Sequence, residues 1–216
     1  GLDAVSSLAT RTAIEMRDLG FNINLGVMVN THSFYSYTSD VDRAARIGET
    51  ITKRYAVNHV FTGYEYFPGG ADYTVPGMKL DVSKETLMDD DGRVFAQLIG
   101  ATADEHPMIM VNAVKVTSID ANQPVSLSKP IITDWLRKEL GFEGVVITDD
   151  IEVGAAVAGM SIEDYAIQTI NAGSDMVIVC KHPKHIKAVH DALTQAVENG
   201  TISEARLDES VRRIML

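Results

Sequence analysis

Apolar runs of strand length alternate along this chain with longer stretches in which apolar residues recur every three or four positions. The runs are Asn22 to Val29, Val60 to Phe67, Met108 to Val114, Val145 to Thr148 and Met176 to Cys180. Their separation of roughly thirty to forty-five residues leaves room for a helix between each pair and predicts successive βαβ units. The chain opens on a helix, with Val5, Leu8, Ala9, Met16 and Leu19 expected on its inward face. Later helices carry clearer punctuation. Ser128 and Pro130 open one whose Ile132, Trp135, Leu136 and Leu140 share a face, and Gly141 closes it. Ser161-Ile-Glu-Asp164 has the form of a capping box ahead of an inward stripe of Ile162, Tyr165, Ala166 and Ile170. Ile186, Val189, Leu193 and Val197 mark a further helix stopped by Gly200, and Ser203 to Leu216 reads as a terminal helical segment. The stretches Gly69 to Val82 and Val116 to Lys129 read as loops.

No linker or composition break divides the pattern, so residues 1–216 are expected to form a single domain. Five parallel strands are too few to close an eight-stranded barrel. The expected fold class is α/β: either a smaller open sheet, or only the last five βα units of a (β/α)8 TIM-type barrel that lacks its first strands. In the second case a copy of the chain or a partner chain would cover the exposed strand edges.

Composition narrows the function more than the fold. With 45% hydrophobic and 23% charged residues the chain has the make-up of an ordinary globular protein. A formal net charge of −11 argues against a nucleic-acid or anionic-membrane partner, since both select clustered positive charge. No apolar run approaches the length of a membrane span, and the first residues lack the form of a secretory signal. A cytoplasmic location is the resulting expectation. The single Cys180 lies in an apolar run and is expected to be a buried, inert thiol. The histidines show no repeated ligand spacing beyond the loop neighbours His182 and His185, so neither a metal site nor a cofactor is expected.

The candidate chemistry sits in Gly141-Phe-Glu-Gly-Val-Val-Ile-Thr-Asp-Asp150, where an apolar strand runs into two carboxylates. Ligands of parallel α/β sheets collect beyond the carboxyl ends of the strands, so acids placed there face substrate. The alternative is that Asp149 or Asp150 caps the next helix.

Together with Pro124-Val-Ser-Leu-Ser128, Trp135-Leu-Arg-Lys-Glu-Leu140, Asn171-Ala-Gly-Ser-Asp-Met-Val-Ile-Val-Cys180 and Ile202-Ser-Glu-Ala-Arg-Leu-Asp208, this run resembles family 3 glycoside hydrolases, especially the β-N-acetylglucosaminidase branch. The resemblance is close over about the last hundred residues and looser from Leu2 onward. It implies a (β/α)8 barrel and retaining hydrolysis of a β-linked N-acetylglucosaminide or related β-glycoside, with Asp149 as nucleophile and a carbohydrate as ligand.

The same resemblance exposes departures. Where the family has Lys-His-Phe-Pro-Gly-His-Gly-Asp, this chain has Glu65-Tyr66-Phe67-Pro68-Gly69-Gly70-Ala71-Asp72. Tyr73 to Asp81 contains no His to match the Asp-His acid/base of the branch. Gly26-Val-Met-Val-Asn30 replaces Ala-Pro-Val-x-Asp, Tyr35-Ser36-Tyr37 replaces Arg-Ser-Phe, and a strand that usually ends near a ligand-binding His ends in Met110-Val-Asn112. The Asp-x-Glu-Gly-Gly element of the family's early strands has no match before Gly1. Glu65, on a neighbouring strand end, is therefore the candidate replacement acid/base, with His32 just beyond Asn30 as the other; the plainer readings are a solvated or ion-paired acid and a loop residue. Asn30, His32, Tyr66, Asp72, Asn112 and Asp150 are candidate substrate contacts. The alternatives to catalysis are a sugar-binding pseudoenzyme and a partial barrel completed by a partner.

Overall fold

A computed structural model describes residues 1–69 and 77–215. In chain order the elements are α1 (Leu2–Asp18), β1 (Ile23–Met28), α2 (Val41–Ala56), β2 (Phe61–Phe67), β3 (Lys79–Leu80), α3 (Lys84–Asp89), α4 (Asp91–Ala101), β4 (Met108–Val111), β5 (Lys115–Val116), a π-helical segment (Pro130–Glu139), β6 (Val146–Asp150), α5 (Ile151–Ala158), α6 (Ile162–Ala172), β7 (Met176–Ile178), α7 (Pro183–Glu198) and α8 (Glu204–Ile214). They fall into two compact units: 1–72 with 83–110, and 73–82 with 111–216.

In the first unit β1 pairs in parallel with β2, with Ile23 opposite Phe61 and Met28 opposite Glu65. The ladder is irregular between Asn24 and Val27, where the Asn24 side chain accepts the Gly26 N–H at 2.9 Å. That bond gives the displaced backbone donor a partner inside the strand. The β2 side chains that point inward are Thr62, Tyr64 and Phe67. The Tyr64 hydroxyl lies 2.7 Å from that of Thr52 and 3.0 Å from that of Thr102, so a wholly buried phenol keeps its hydrogen bonds, while Phe67 meets Phe95 edge-on at 5.3 Å. Helix α1 packs on α2. Its buried residues are Ala9 and Ala13, whereas Leu8 and Leu19 are 59% and 77% exposed, contrary to the stripe expected from sequence.

In the second unit β6 pairs in parallel with β7, with Ile147 opposite Met176 and Asp150 opposite Ile178. Leu127, Ile151, Ala155, Ile162, Tyr165, Ala166 and Val189 form the core beneath them. A Cβ on Gly154 would lie 2.4 Å from the Tyr165 hydroxyl, so glycine at that point of α5 is what admits the ring. Ser161 caps α6 by accepting the Asp164 N–H at 3.1 Å. The segment expected as an ordinary helix after Pro130 is wound more widely, with the Leu140 N–H reaching the Trp135 carbonyl at 2.9 Å. Each of the two stretches expected to be loops carries half of a small parallel ladder, β3 against β5. Their main chains satisfy one another there despite an unremarkable apolar pattern.

The start of the β6–β7 ladder is held by one buried acid. Asp175, whose side chain is 0% exposed, receives Arg137 at 2.5 Å, Arg213 at 2.9 Å and Arg206 at 3.2 Å. It also accepts the Ser210 hydroxyl at 2.8 Å and the Val146 N–H at 3.0 Å, while its own N–H donates to the Val146 carbonyl at 2.8 Å. Burial pushes the Arg137 guanidinium down to about 10, against the pull of Asp175, so it stays charged at neutral pH.

Removing one member of such a buried ionic cluster leaves the others uncompensated, at a cost of about 3–5 kcal/mol. Asp175→Ala is expected to lower the urea-unfolding free energy by about that much. Breaking the exposed Lys138–Asp134 pair at 2.8 Å by Asp134→Ala is expected to leave the urea midpoint essentially unchanged.

Candidate active site

Strand β6 drives the chemistry-bearing acids to its end. Val146, Ile147 and Thr148 are buried, and the Thr148 hydroxyl accepts the Ile178 N–H at 3.1 Å. The two following carboxylates are half-buried and play different parts. Asp150 is the helix cap foreseen as the alternative. Its Oδ1 accepts the Glu152 N–H at 3.1 Å and the Cys180 N–H at 3.4 Å, and its Oδ2 lies 3.8 Å from the Lys181 ammonium. With its lone pairs committed to backbone and cation, Asp150 has a structural task beside its candidate ligand contact. Asp149 does not cap α5. Its negative charge is felt by Tyr165, whose hydroxyl is pushed up chiefly by burial, eased by a 2.6 Å bond to Ser126, and raised again by Asp149. The charge of the nucleophile candidate thus reaches a phenol that burial keeps neutral.

Two residues beyond, Glu152 turns its carboxylate inward, leaving the side chain 5% exposed. One oxygen, Oε1, lies 2.6 Å from His182 Nδ1 and 2.5 Å from His185 Nδ1. The other, Oε2, accepts the N–H groups of Lys181 and His182. Burial alone would raise this carboxyl, but the two N–H groups and two rings outweigh it and hold the group at about 2. The sequence pattern missed this grouping, because Glu152 comes thirty residues before the histidines. Cys180, expected to be buried, is exposed. Its thiol is nonetheless pushed up, first by desolvation and then by Asp150 and Glu152.

In the first unit the candidates gather at the ends of β1 and β2. Asn30 is buried and both ends of its amide are used: Nδ2 donates to the Tyr66 carbonyl at 3.1 Å and Oδ1 accepts the Tyr66 N–H at 2.6 Å. It therefore stitches the two strand ends together, which accounts for an Asn where the resemblance has Asp. Thr31 donates its N–H to Asp91 at 2.6 Å and its hydroxyl bridges Asp90 and Asp91, while His32 Nε2 pairs with Asp90. This knot ties the loop after β1 to the start of α4 and engages His32. Glu65 is partly buried, and that burial alone pushes its carboxyl up to about 7. Its charge in turn contributes to raising Tyr37, after burial and Tyr55. Asn112, in the second unit, is buried with its Oδ1 on the Val114 N–H at 3.2 Å. Asp72 lies outside the described residues. A cavity of about 700 Å3 between α1, α2 and β1 is lined by Leu8, Tyr37, Arg43, Arg46 and Tyr55, among others. Among the described residues none of the candidates lines it, although the charge of Glu65 reaches Tyr37 in its wall.

The family profile described as the N-terminal domain of glycosyl hydrolase family 3 matches residues 1–216. The chain belongs to glycosyl hydrolase family 3. Among curated relatives, the Beta-hexosaminidase A of Pseudoalteromonas piscicida is 24% identical over 97% of this chain and 40% of its own length. The Beta-hexosaminidase of Bordetella avium is 30% identical over 83% of this chain and 55% of its own. Among solved structures, the family 3 β-N-acetylglucosaminidase from Paenibacillus sp. str. FPU-7 superposes with a TM-score of 0.89 at 28% identity, covering 100% of this chain and 43% of that one. The Thermotoga maritima β-N-acetylglucosaminidase gives 0.88 at 25%, over 99% and 47%. The chain spans about half the length of the relatives it matches. Family membership agrees with the resemblance read from the Asp149 run, and the α/β fold of parallel strands is that of the family's TIM-barrel-type domains.

Glu65 carries a pH signature. Its native carboxyl titrates near 7 and its unfolded one near 4.3, so between these values the native state holds a proton that the unfolded state has lost. The stability it confers is complete below about pH 4.3 and is lost as pH rises through about 7. Glu65→Gln is expected to flatten the decline in urea-unfolding free energy between pH 4.5 and 7, relative to wild type. An unchanged slope would place the titration elsewhere.

Proposed function

We propose that this chain contributes Asp149 as the nucleophile of a retaining β-glycoside hydrolysis, with a β-linked N-acetylglucosaminide as the first substrate class to test. The observation that carries the reading is the position of Asp149: the first acid at the end of β6, immediately before Asp150, which caps α5. The names of the relatives support the N-acetylhexosaminide choice.

The chemistry follows from a carboxylate at that point. Asp149, ionised, attacks the anomeric carbon and forms a glycosyl ester as the bond to the leaving oxygen breaks. A proton donor supplies that oxygen, then takes a proton from the water that opens the ester. Glu65 is the candidate donor on its protonation behaviour: a carboxyl near 7 keeps its proton in a sizeable fraction of molecules at neutral pH. A second reading, sugar binding without turnover, is favoured by the lack of a His from Tyr73 to Asp81 to match the acid/base of the family's branch.

Hydrolysis of aryl β-N-acetylglucosaminide and aryl β-glucoside by wild type, Asp149→Asn and Glu65→Gln separates these readings. Asp149→Asn is expected to lower kcat by at least about 10³-fold, and Glu65→Gln by about 10²-fold with loss of the alkaline limb of the pH profile. Equal rates for wild type and Asp149→Asn would end the nucleophile assignment. Calorimetric binding of N-acetylglucosamine with no product from either aryl glycoside would establish the second reading.

A further inference from the structure

We propose that Glu152, His182 and His185 form a binding site for a single divalent transition-metal ion of the zinc class. Three elements converge on it. Glu152 lies in the first turn of α5, directly after the acids that end β6. His182 is the residue before Pro183 at the start of α7, and His185 lies in that helix's first turn. The two rings are 5.0 Å apart and tilted by 56°, and both present Nδ1 to the same carboxylate oxygen. The three candidate ligand atoms lie within 4.8 Å of one another.

A carboxylate has room for about four hydrogen bonds on two oxygens. Here both rings crowd onto Oε1 while Oε2 is reserved for the Lys181 and His182 N–H groups. That division of labour is what a ligating carboxylate shows: one oxygen aimed at the ion, the other held by an outer layer of hydrogen bonds. Bond lengths of about 2.0–2.2 Å to nitrogen and oxygen imply ligand atoms roughly 3.4 Å apart around a tetrahedral ion. The present N···O separations of 2.5 and 2.6 Å therefore need to open by under about 1 Å when an ion replaces the two protons between them. His182 and His185, 58% and 29% exposed at the side chain, have the freedom to make that movement.

Two imidazoles and one carboxylate are a borderline donor set that suits zinc, cobalt or nickel, while magnesium and calcium prefer all-oxygen ligands. Three protein ligands leave a fourth position for water. Asp150, whose Oδ1 accepts the Glu152 N–H, adds negative charge beside the site. The ion would clasp the first turn of α7 to the first turn of α5, at a residue three positions from Asp149.

The test is calorimetric titration of zinc chloride into the chelator-stripped, dialysed protein. One ion per chain is expected, with a micromolar or tighter Kd, no heat from magnesium or calcium, and an unchanged isotherm in Cys180→Ser. His182→Ala/His185→Ala is expected to weaken binding by at least about 100-fold. Glu152→Gln keeps the backbone acceptor and the shape of the side chain, and is expected to weaken it at least about 10-fold, which guards against loss of fold in the double variant. No zinc heat in wild type, equal binding in the double variant, or loss of binding in Cys180→Ser would overturn the proposal.

Discussion

The buried Asp175 carboxylate is the constraint on which the second unit depends. A fully desolvated acid persists only with compensating charge and hydrogen bonds, and three guanidinium groups, a hydroxyl and a backbone N–H supply them. The consequence reaches beyond stability. Asp175 bonds the first residue of β6 through both its side chain and its main chain, so it sets where that strand begins relative to β7. Side chains alternate along a strand, and a slip of one residue would exchange the outward and inward positions. The side to which Asp149 is presented at the far end is therefore decided at the near end, by a buried acid at the start of the ladder.

Beyond the strand end, each acid is assigned its task by its surroundings. Asp150 spends its oxygens on the start of α5 and the turn after β7, and Glu152 on two histidines and that same turn. The charge of Asp149 is felt by the Tyr165 hydroxyl, which burial already raises. In the first unit burial without a cation drives Glu65 to about 7, the opposite outcome from Glu152 at about 2. Two glutamates on one chain thus acquire contrasting protonation behaviour, one from desolvation and one from hydrogen bonds.

The features legible in the sequence are those carried by local pattern. Strand positions, most helix ends and the Asp149 run all follow from periodicity, caps and the family resemblance. What escaped is convergence across a βα unit. Arg137, Arg206 and Arg213 meet Asp175 from as far as 38 residues away, and Glu152 meets His182 and His185 from 30 and 33, with nothing in any local window to connect them. In helix α1 Ala9 of the expected stripe is buried, together with Ala13, while Leu8 is exposed, as is Leu19 just beyond the helix. Cys180 lies in an apolar run that ends as the chain leaves the sheet, so its exposure follows from strand β7 stopping at Ile178.

The central claim is that Asp149 is the nucleophile, and trapping tests it most directly. Incubation with an activated fluoro-sugar, whose glycosyl ester hydrolyses slowly, followed by peptide mass spectrometry, is expected to find one glycosyl adduct per chain, on the peptide containing Asp149 and absent from Asp149→Asn. An adduct on another residue, or turnover of the unmodified substrate with inversion at the anomeric carbon, would contradict the account.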